Sequence, residues 1–335
     1  MIPALVLTAG LATRLRPLSL VRAKAALPVA GDPLVRRILW WLAGAGVTDA
    51  VLNLHHLPHT ITGIVGDGAD DGIRVRYSWE MPVLGSAGGP RRALPLLGVP
   101  TFLIVNGDTL TDVDINALVR DHEQSGALVT MAVIPNAETA RYGGVAVDGG
   151  GAVTGFVTRG SPQPSHHFVG IQVASAHAFA SLRDDVPSES VSERYPALIA
   201  EHPGSVRAFV TSAECFDIGT PGDYLNTSLL LGTRDSGLGT RAANSGSRTP
   251  TPDSRLLVGA RTRIASDARI EDSVVWDDVE VRAGVTLRRC VVTDGVQMPA
   301  GTSWENATIR VASGELMAGE RAIRGLAIAP IRHRV

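Results

Sequence analysis

The chain has 335 residues, of which 44% are hydrophobic and 19% charged, with a formal net charge of −2. That composition buries a real core, exceeds one typical domain and excludes a disordered tail, so one large and one small domain are expected. Near-neutral charge leaves no electrostatic footprint for nucleic acid, two cysteines cannot build a disulfide framework, and no apolar run approaches the ~20 residues of a membrane span.

In chain order, ALVLT (4–8) is an apolar strand ending in a glycine-containing turn, and LVRRILWWLAGAG (34–46) has helical spacing with a glycine stop. AVLNLH (50–55) and IRVRYSW (73–79) read as strands around a short helix at 58–65. FLIVNGD (102–108) is an apolar strand ending in a polar turn, followed by an amphipathic helix at 115–124 and the strand ALVTMAVI (127–134). Strands that are apolar throughout, alternating with helices, argue a Rossmann-like, mainly parallel sheet covered on both faces, an α/β fold. From Tyr142 to Val173 short strands separated by Gly and Pro suggest an antiparallel lobe laid over that sheet, with helices following at 191–202 and 221–231. Residues 232–255 are rich in Gly, Ser, Thr, Pro and Arg and read as a flexible linker. Beyond it apolar residues recur about every sixth position, at Val258, Ile264, Ile270, Val275 or Trp276, Val281, Leu287, Val292 and Met298. That period fits one short strand and one turn per side of a parallel β-helix. The expected domains are therefore 1–231, a linker at 232–255, and a small β-helix at 256–330. Its exposed coil ends call for packing on the rest of the chain or on a second copy, a homo-oligomer.

Of 31 basic side chains only Lys24 is a lysine. Arginine substitutes for lysine at most surface positions, but not where a compact ammonium must serve without a planar fork. Lys24 is thus either a chance survivor or a chemical group. The turn after the first strand, LTAGLATRLRPL (7–18), exposes backbone N–H groups suited to phosphate oxygens, with Arg14 and Arg16 close behind. It is neither a P-loop nor a dinucleotide fingerprint. Asp108 closes one strand and Asp217 another, where α/β sheets place ligands. Read alone, the first is a turn residue and the second a helix cap.

These segments together resemble the sugar-1-phosphate nucleotidyltransferases, or NDP-sugar pyrophosphorylases. The family pattern G-x-G-T-R-L-x-P-L-T stands here as Gly10 to Ser19, with Ala12 in place of the second glycine, and the lysine–proline segment as Lys24 to Pro28. LGSAGG (84–89), VNGD (105–108), RYGGV (141–145), FVGI (168–171) and FDIGTPGDYL (216–225) extend the likeness over nearly all of residues 1–231. The stretch around Gly85, with the repeats that follow the linker, is similar to the mannose-1-phosphate guanylyltransferase branch, whose hexapeptide domain is a left-handed parallel β-helix.

The resemblance implies that a sugar 1-phosphate oxygen attacks the α-phosphorus of a nucleoside triphosphate and pyrophosphate leaves in line. Positioning and charge neutralisation are what such chemistry needs from a protein. The backbone at Leu11, Ala12 and Thr13 is expected to cradle the triphosphate, Arg14 to hold the departing pyrophosphate, and Lys24 to serve the α-phosphate and the sugar phosphate. Asp108 and Asp217 are expected to bind Mg²⁺ through hard oxygens. Ala9, Gly10, Glu80, Gly85 and Ser86 are expected around the base. A carboxylate at Glu80, accepting only, suits the two donors of a guanine edge and favours GTP, with UTP or dTTP as the alternative. For the sugar, Asn106, Tyr142, Gly143, Arg159 and Gly170 match, with Arg141 and Gln172 as further contacts. The family's F-x-E-K-P is here Phe156-Val-Thr158-Arg159-Gly160, which lacks the carboxylate for sugar hydroxyls. A second class of reading is a catalytically silent nucleotide-sugar-binding subunit. Retention of Arg14, Lys24, Asp108 and Asp217 favours the enzyme. An acetyl-transferring β-helix is disfavoured, since residues 256–330 contain no histidine to act as base.

Overall fold

The computed structural model describes residues 2–233 and 256–333. Its contacts divide the chain into two compact units, Met1–Gly10 with Val35–Phe216, and Leu11–Leu34 with Asp217–Val335. The domain boundary expected from composition is cut differently, and the reason lies inside the second unit, described below. Most of the expected linker, from residue 234 to 255, lies outside the described residues, while Gly232 and Thr233 complete the helix Pro221–Thr233. Among the described residues no helix is long and apolar enough to cross a membrane.

The first unit is a nine-stranded sheet. Its central strand Ala4–Leu7 lies parallel between Thr101–Asn106 and Asp49–Leu54, and Arg74–Trp79 follows parallel at the edge. Leu5, Val51, Leu52, Phe102, Leu103, Ile104 and Val105 are all at most 1% exposed, as expected of strands covered on both faces. Each such side chain contributes about 1.5–3 kcal/mol by leaving water. The segment after Tyr142 forms strands Gly144–Val147, Val153–Val157 and His166–Ser175, but not a lobe laid over the sheet. His166–Ser175 pairs antiparallel with both Thr101–Asn106 and Val129–Pro135, with a bulge between Phe168 and Gln172, so the same sheet simply continues. One helix was not legible in advance. GSAGGPRRALPLL is helical over Gly85–Leu97 despite Pro90 and Pro95 within it. Ala87, Ala93 and Leu97 join the core cluster with Leu5, Val51 and Phe102, and that packing overrides poor helix propensity.

The second unit contains a triangular prism. Each strand lies parallel to the strand seventeen residues on, as Val258 beside Val275 and Val275 beside Val292. Three such sheets result, the faces of a left-handed parallel β-helix. The apolar residues seen in the sequence are spaced six, six and five apart, which makes coils of seventeen residues rather than the eighteen of a strict hexapeptide repeat. They fill the interior, where Val281, Leu287, Val292 and Met298 are at most 1% exposed. After the strand Ala307–Val311 the pattern stops, and Leu326–Pro330 turns back antiparallel on it, followed at the edge by Arg321–Ile323. Arg310 and Glu320, side chains 4% and 1% exposed, form a two-pronged ion pair that fastens this cap. The end of the prism is thus covered by the chain itself on this face.

The same unit includes the stretch Leu11–Leu34. It runs as three single 3₁₀ turns, Thr13–Leu15, Leu18–Leu20 and Lys24–Ala26, and a small ladder in which Pro28–Val29 pairs with Asp32–Pro33.

Candidate active site

In the first unit, the turn after the strand Ala4–Leu7 is fixed by one side chain that the sequence did not single out. Asn53, 3% exposed on the neighbouring strand, accepts hydrogen bonds through Oδ1 from the backbone N–H of Thr8 (2.5 Å) and Ala9 (3.2 Å). The Thr8 hydroxyl donates to the Asn53 carbonyl. The other end of the amide, Nδ2, donates to Glu80 Oε1 at 2.7 Å, and Glu80 Oε2 accepts from Leu84 N–H at 2.8 Å. A glycine is required at 89, because a Cβ there would lie 2.7 Å from Glu80 Oε1 and 2.9 Å from Asn53 Nδ2. Glu80 is therefore interior, 4% exposed, with both oxygens occupied within the protein. Burial raises its carboxyl above the ordinary range, opposed by the Leu84 N–H, by Asn53 and by the charges of His55 and Arg92. Beside the base contact expected from the sequence, Glu80 thus has a contact to Asn53 that helps hold the turn. The signal that could have found Asn53 was its place as the one amide within the apolar run AVLNL.

Ser86 is likewise occupied. Its hydroxyl donates to Glu189 Oε2 at 2.6 Å and accepts from Ser190 N–H at 2.8 Å. Gly85 opens the helix Gly85–Leu97, and Ser188 and Glu189 pack against it.

The strand Thr101–Asn106 ends in the turn that carries Asp108. Gly107 N–H donates to Leu7 O at 2.8 Å, which ties this turn to the end of the first strand. Thr109 donates to Gly170 O at 3.1 Å, bringing Asn106, Thr109 and Gly170 together beside Asp108. Farther along, the Tyr142 ring lies against His167 with centroids 4.1 Å apart, and the Arg141 guanidinium sits 5.1 Å over the same tyrosine. Gly143 lies against the Val157 carbonyl, whereas Thr158 and Arg159 are exposed on the turn that follows. Gln172 is buried at 3% exposure in mid-strand.

A two-residue ladder, Cys215–Phe216 on Leu110–Thr111, is held by Thr111 Oγ1 donating to Glu214 O and by Glu214 N–H donating to Asp112. Asp108 precedes this ladder by one residue and Asp217 follows it directly.

In the second unit Gly219 leaves room beside Asp217, since a Cβ there would stand 3.2 Å and 3.4 Å from its carboxylate oxygens. Thr227 donates to the Asp217 carbonyl at 3.2 Å from the helix Pro221–Thr233. Leu11, Thr13 and Arg14 are exposed. Ala12 has left-handed backbone, φ 47°, which explains the glycine of the family pattern and costs a residue with a Cβ about 1–2 kcal/mol. Ser19 Oγ holds the strained position by donating to the Ala12 carbonyl at 2.9 Å. Lys24 begins a 3₁₀ turn in which Ala23, Ala25, Ala26 and Leu27 are at most 1% exposed while Lys24 itself is half-buried. Within Ala23–Leu27 Lys24 is the one residue that is not buried.

Among the described residues no cluster of three or more His, Cys, Asp or Glu could hold a metal by itself. Within the second unit the Asp217 carboxylate, with space beside it kept open by Gly219, offers the hard oxygens that a divalent cation prefers.

The family model described as nucleotidyl transferase matches residues 3–232, and that described as GlmU-like, C-terminal hexapeptide matches 250–304. A mannose-1-phosphate guanylyltransferase of Mycobacterium tuberculosis is 28% identical over 86% of this chain and 83% of its own length. An N-acetylmuramate α-1-phosphate uridylyltransferase of Neisseria meningitidis is 46% identical over 34% of this chain and 50% of its own. Among solved structures, HddC from Yersinia pseudotuberculosis superposes with a TM-score of 0.61 at 22% identity, over 69% of this chain and all of that one, which shows the shared fold. The chain belongs to the nucleotidyl transferase family, and it carries a GlmU-like hexapeptide domain behind its nucleotidyl transferase region.

Proposed function

We propose that the protein transfers a nucleotidyl group from a nucleoside triphosphate to a sugar 1-phosphate, releasing pyrophosphate. A sugar phosphate oxygen forms the new bond to the α-phosphorus, and the bond from that phosphorus to the αβ-bridging oxygen breaks. The observation that carries this reading is the signature stretch itself, which keeps Arg14 exposed and Lys24 half-buried in an otherwise buried alanine-rich turn.

In this reading the backbone of Leu11, Ala12 and Thr13 receives the triphosphate, and Ala9, Gly10, Gly85 and Ser86 lie around the base, with Glu80 behind them. Arg14 neutralises the departing pyrophosphate. Lys24, a point charge with no planar demand, serves the two phosphates that must approach each other. Asp108 and Asp217 hold the divalent ion, Mg²⁺ by its preference for carboxylate and phosphate oxygens. The ion, when bound, offsets phosphate charge and favours the leaving group. Asn106, Tyr142, Gly143, Arg159 and Gly170 contact the sugar phosphate. A cytoplasmic location follows from such substrates, and a homo-oligomer belongs to the same reading.

With Glu80 occupied inside the protein, the preference for GTP rests on the guanylyltransferases among the relatives, which include a probable mannose-1-phosphate guanylyltransferase of rice, 29% identical over 91% of this chain. The second reading is UTP with an acidic sugar phosphate. The 46% identity to the uridylyltransferase favours it, as does Thr158 standing where a sugar-binding carboxylate is expected. A matrix of GTP, UTP, dTTP, ATP and CTP against mannose, glucose and N-acetylmuramate 1-phosphates, scored by pyrophosphate release, decides between them. GTP with mannose 1-phosphate is the expected pair. A blank matrix would favour a silent nucleotide-sugar-binding subunit.

A further inference from the structure

The turn that carries Lys24 is pinned on both sides to the hexapeptide prism. On one side, Arg22 Nε and Nη2 donate to the two oxygens of Asp294, each at 2.7 Å, and Nη2 also donates to Asp277 at 2.7 Å. The guanidinium lies 5.4 Å over the ring of Trp276. On the other side, the Trp276 indole N–H donates to Tyr224 Oη at 2.8 Å, and Tyr224 donates to the Pro28 carbonyl at 2.6 Å. Arg22 and Pro28 bracket Ala23–Leu27, and both lead to the coil that holds Trp276.

The prism is built to receive this guanidinium. Asp277 and Asp294 occupy the same corner of successive coils, two residues beyond the paired Val275 and Val292. Two carboxylates stacked in this way repel each other unless a cation joins them. Their geometry is set independently of Arg22: Asp277 N–H donates to Asp294 Oδ1 at 3.1 Å, and Asp277 Oδ1 accepts from Ala260 N–H at 2.7 Å. The Arg22 side chain is 14% exposed and the two acids 30% and 27%, so the joint is shielded in part from water and salt. A planar fork suits it, because it engages one carboxylate with two parallel bonds and reaches the next coil as well.

We propose that the hexapeptide prism is the positioning element of Lys24, acting through the joint of Arg22 with Asp277, Asp294 and Trp276. Arg22 is a positioning residue in this scheme. The inference rests on the reading that Lys24 serves the transfer reaction, and its test has a readout that does not depend on that reading. The protein as it exists and its variants Arg22→Gln, Arg22→Lys, Asp294→Asn, the Arg22→Gln/Asp294→Asn pair and the milder Tyr224→Phe are compared by steady-state pyrophosphate release and by amide hydrogen exchange. In the unaltered chain Ala26 N–H donates to Ala23 O and Leu27 N–H to Lys24 O. Exchange at these two amides should quicken about tenfold in Arg22→Gln. The kcat should fall about 30- to 100-fold, with KM for both substrates within about threefold, as expected when a reacting group is misplaced by an ångström. The double variant should be no worse than Arg22→Gln alone, and Arg22→Lys should recover little. Unchanged exchange at Ala26 and Leu27 overturns the proposal. Faster exchange or a lower melting temperature with kcat unchanged overturns it too, since the joint would then be structural only. If the unaltered protein releases no pyrophosphate from any pair, the proposed function fails while the exchange result still decides whether the prism orders the turn.

Discussion

The two ends of the signature stretch are anchored by opposite means. Residues 8 and 9, in the first unit, hang on a neutral amide at 3% exposure, Asn53, backed by Glu80. Residues 22 and 28, in the second unit, are held by an arginine fork and a tyrosine hydroxyl that reach residues 276–294 and 224. A neutral buried anchor works by satisfying backbone donors that would otherwise be stranded, and it is insensitive to salt. An ionic anchor at partial exposure contributes less to stability, yet it fixes direction, because a guanidinium accepts few geometries. The difference shows that the signature stretch is built for rigidity at its start and for orientation near its lysine.

The largest effect expected from breaking this contrast falls on the ion rather than on either anchor. Asp217 follows directly on the ladder of the first unit yet belongs to the second, and Asp217→Asn should raise the Mg²⁺ needed for half-maximal pyrophosphate release by about tenfold or more, as for loss of one charged ligand. An unchanged Mg²⁺ titration would remove Asp217 from the metal assignment.

Next comes the neutral anchor. Asn53→Ala strands the Thr8 and Ala9 N–H groups and leaves Glu80 with one partner fewer, at a cost of about 1–3 kcal/mol for each group left unsatisfied. Urea unfolding should report that loss equally at low and high salt. A cost that fades with salt would mean the contrast with Arg22 is misdrawn.

Smaller effects lie in the second unit. Ala12→Gly relieves left-handed backbone and should stabilise by up to about 1 kcal/mol, whereas Ser19→Ala should cost about 0.5–1.5 kcal/mol by freeing the Ala12 carbonyl. Equal and negligible changes in denaturant midpoint would show that the Ala12 conformation is not held by Ser19. At the cap of the prism, burial works to raise the Glu320 carboxyl, but Arg310 and the Met317 N–H outweigh it and hold the group below its ordinary value. A carboxyl lowered in the folded state lends stability that is complete above its unfolded value and lost as pH falls through the lowered one. The prism should therefore lose stability as pH drops below about 4, and Glu320→Gln should remove that step from an acid titration followed by tryptophan fluorescence.

Much of this architecture was legible because it rests on periodicity. Buried parallel strands are apolar throughout, and the prism repeats its inner residues at six, six and five. The helix Gly85–Leu97 was not legible, since its glycines and prolines argue for a loop and only packing on Leu5 and Phe102 makes it helical. The cap beyond residue 311 escaped because a hairpin that ends a repeat no longer carries the repeat. In the candidate site, Lys24 announced itself by being the sole lysine. Arg22 did not, because nothing local distinguishes it from its neighbours and its partners lie 255 and 272 residues away. Glu80 stood out in the sequence, but its contact with Asn53 did not, since the two lie 27 residues apart and meet only through the pairing of neighbouring strands.

The central claim is that the transfer reaction needs an ammonium at position 24, and Lys24→Arg tests it most directly, because the charge stays and only its shape changes. Under saturating nucleoside triphosphate and sugar 1-phosphate, kcat for pyrophosphate release should fall about 100-fold or more, with nucleotide binding weakened no more than about threefold. A variant that turns over within a factor of about two of the unaltered protein would contradict the account.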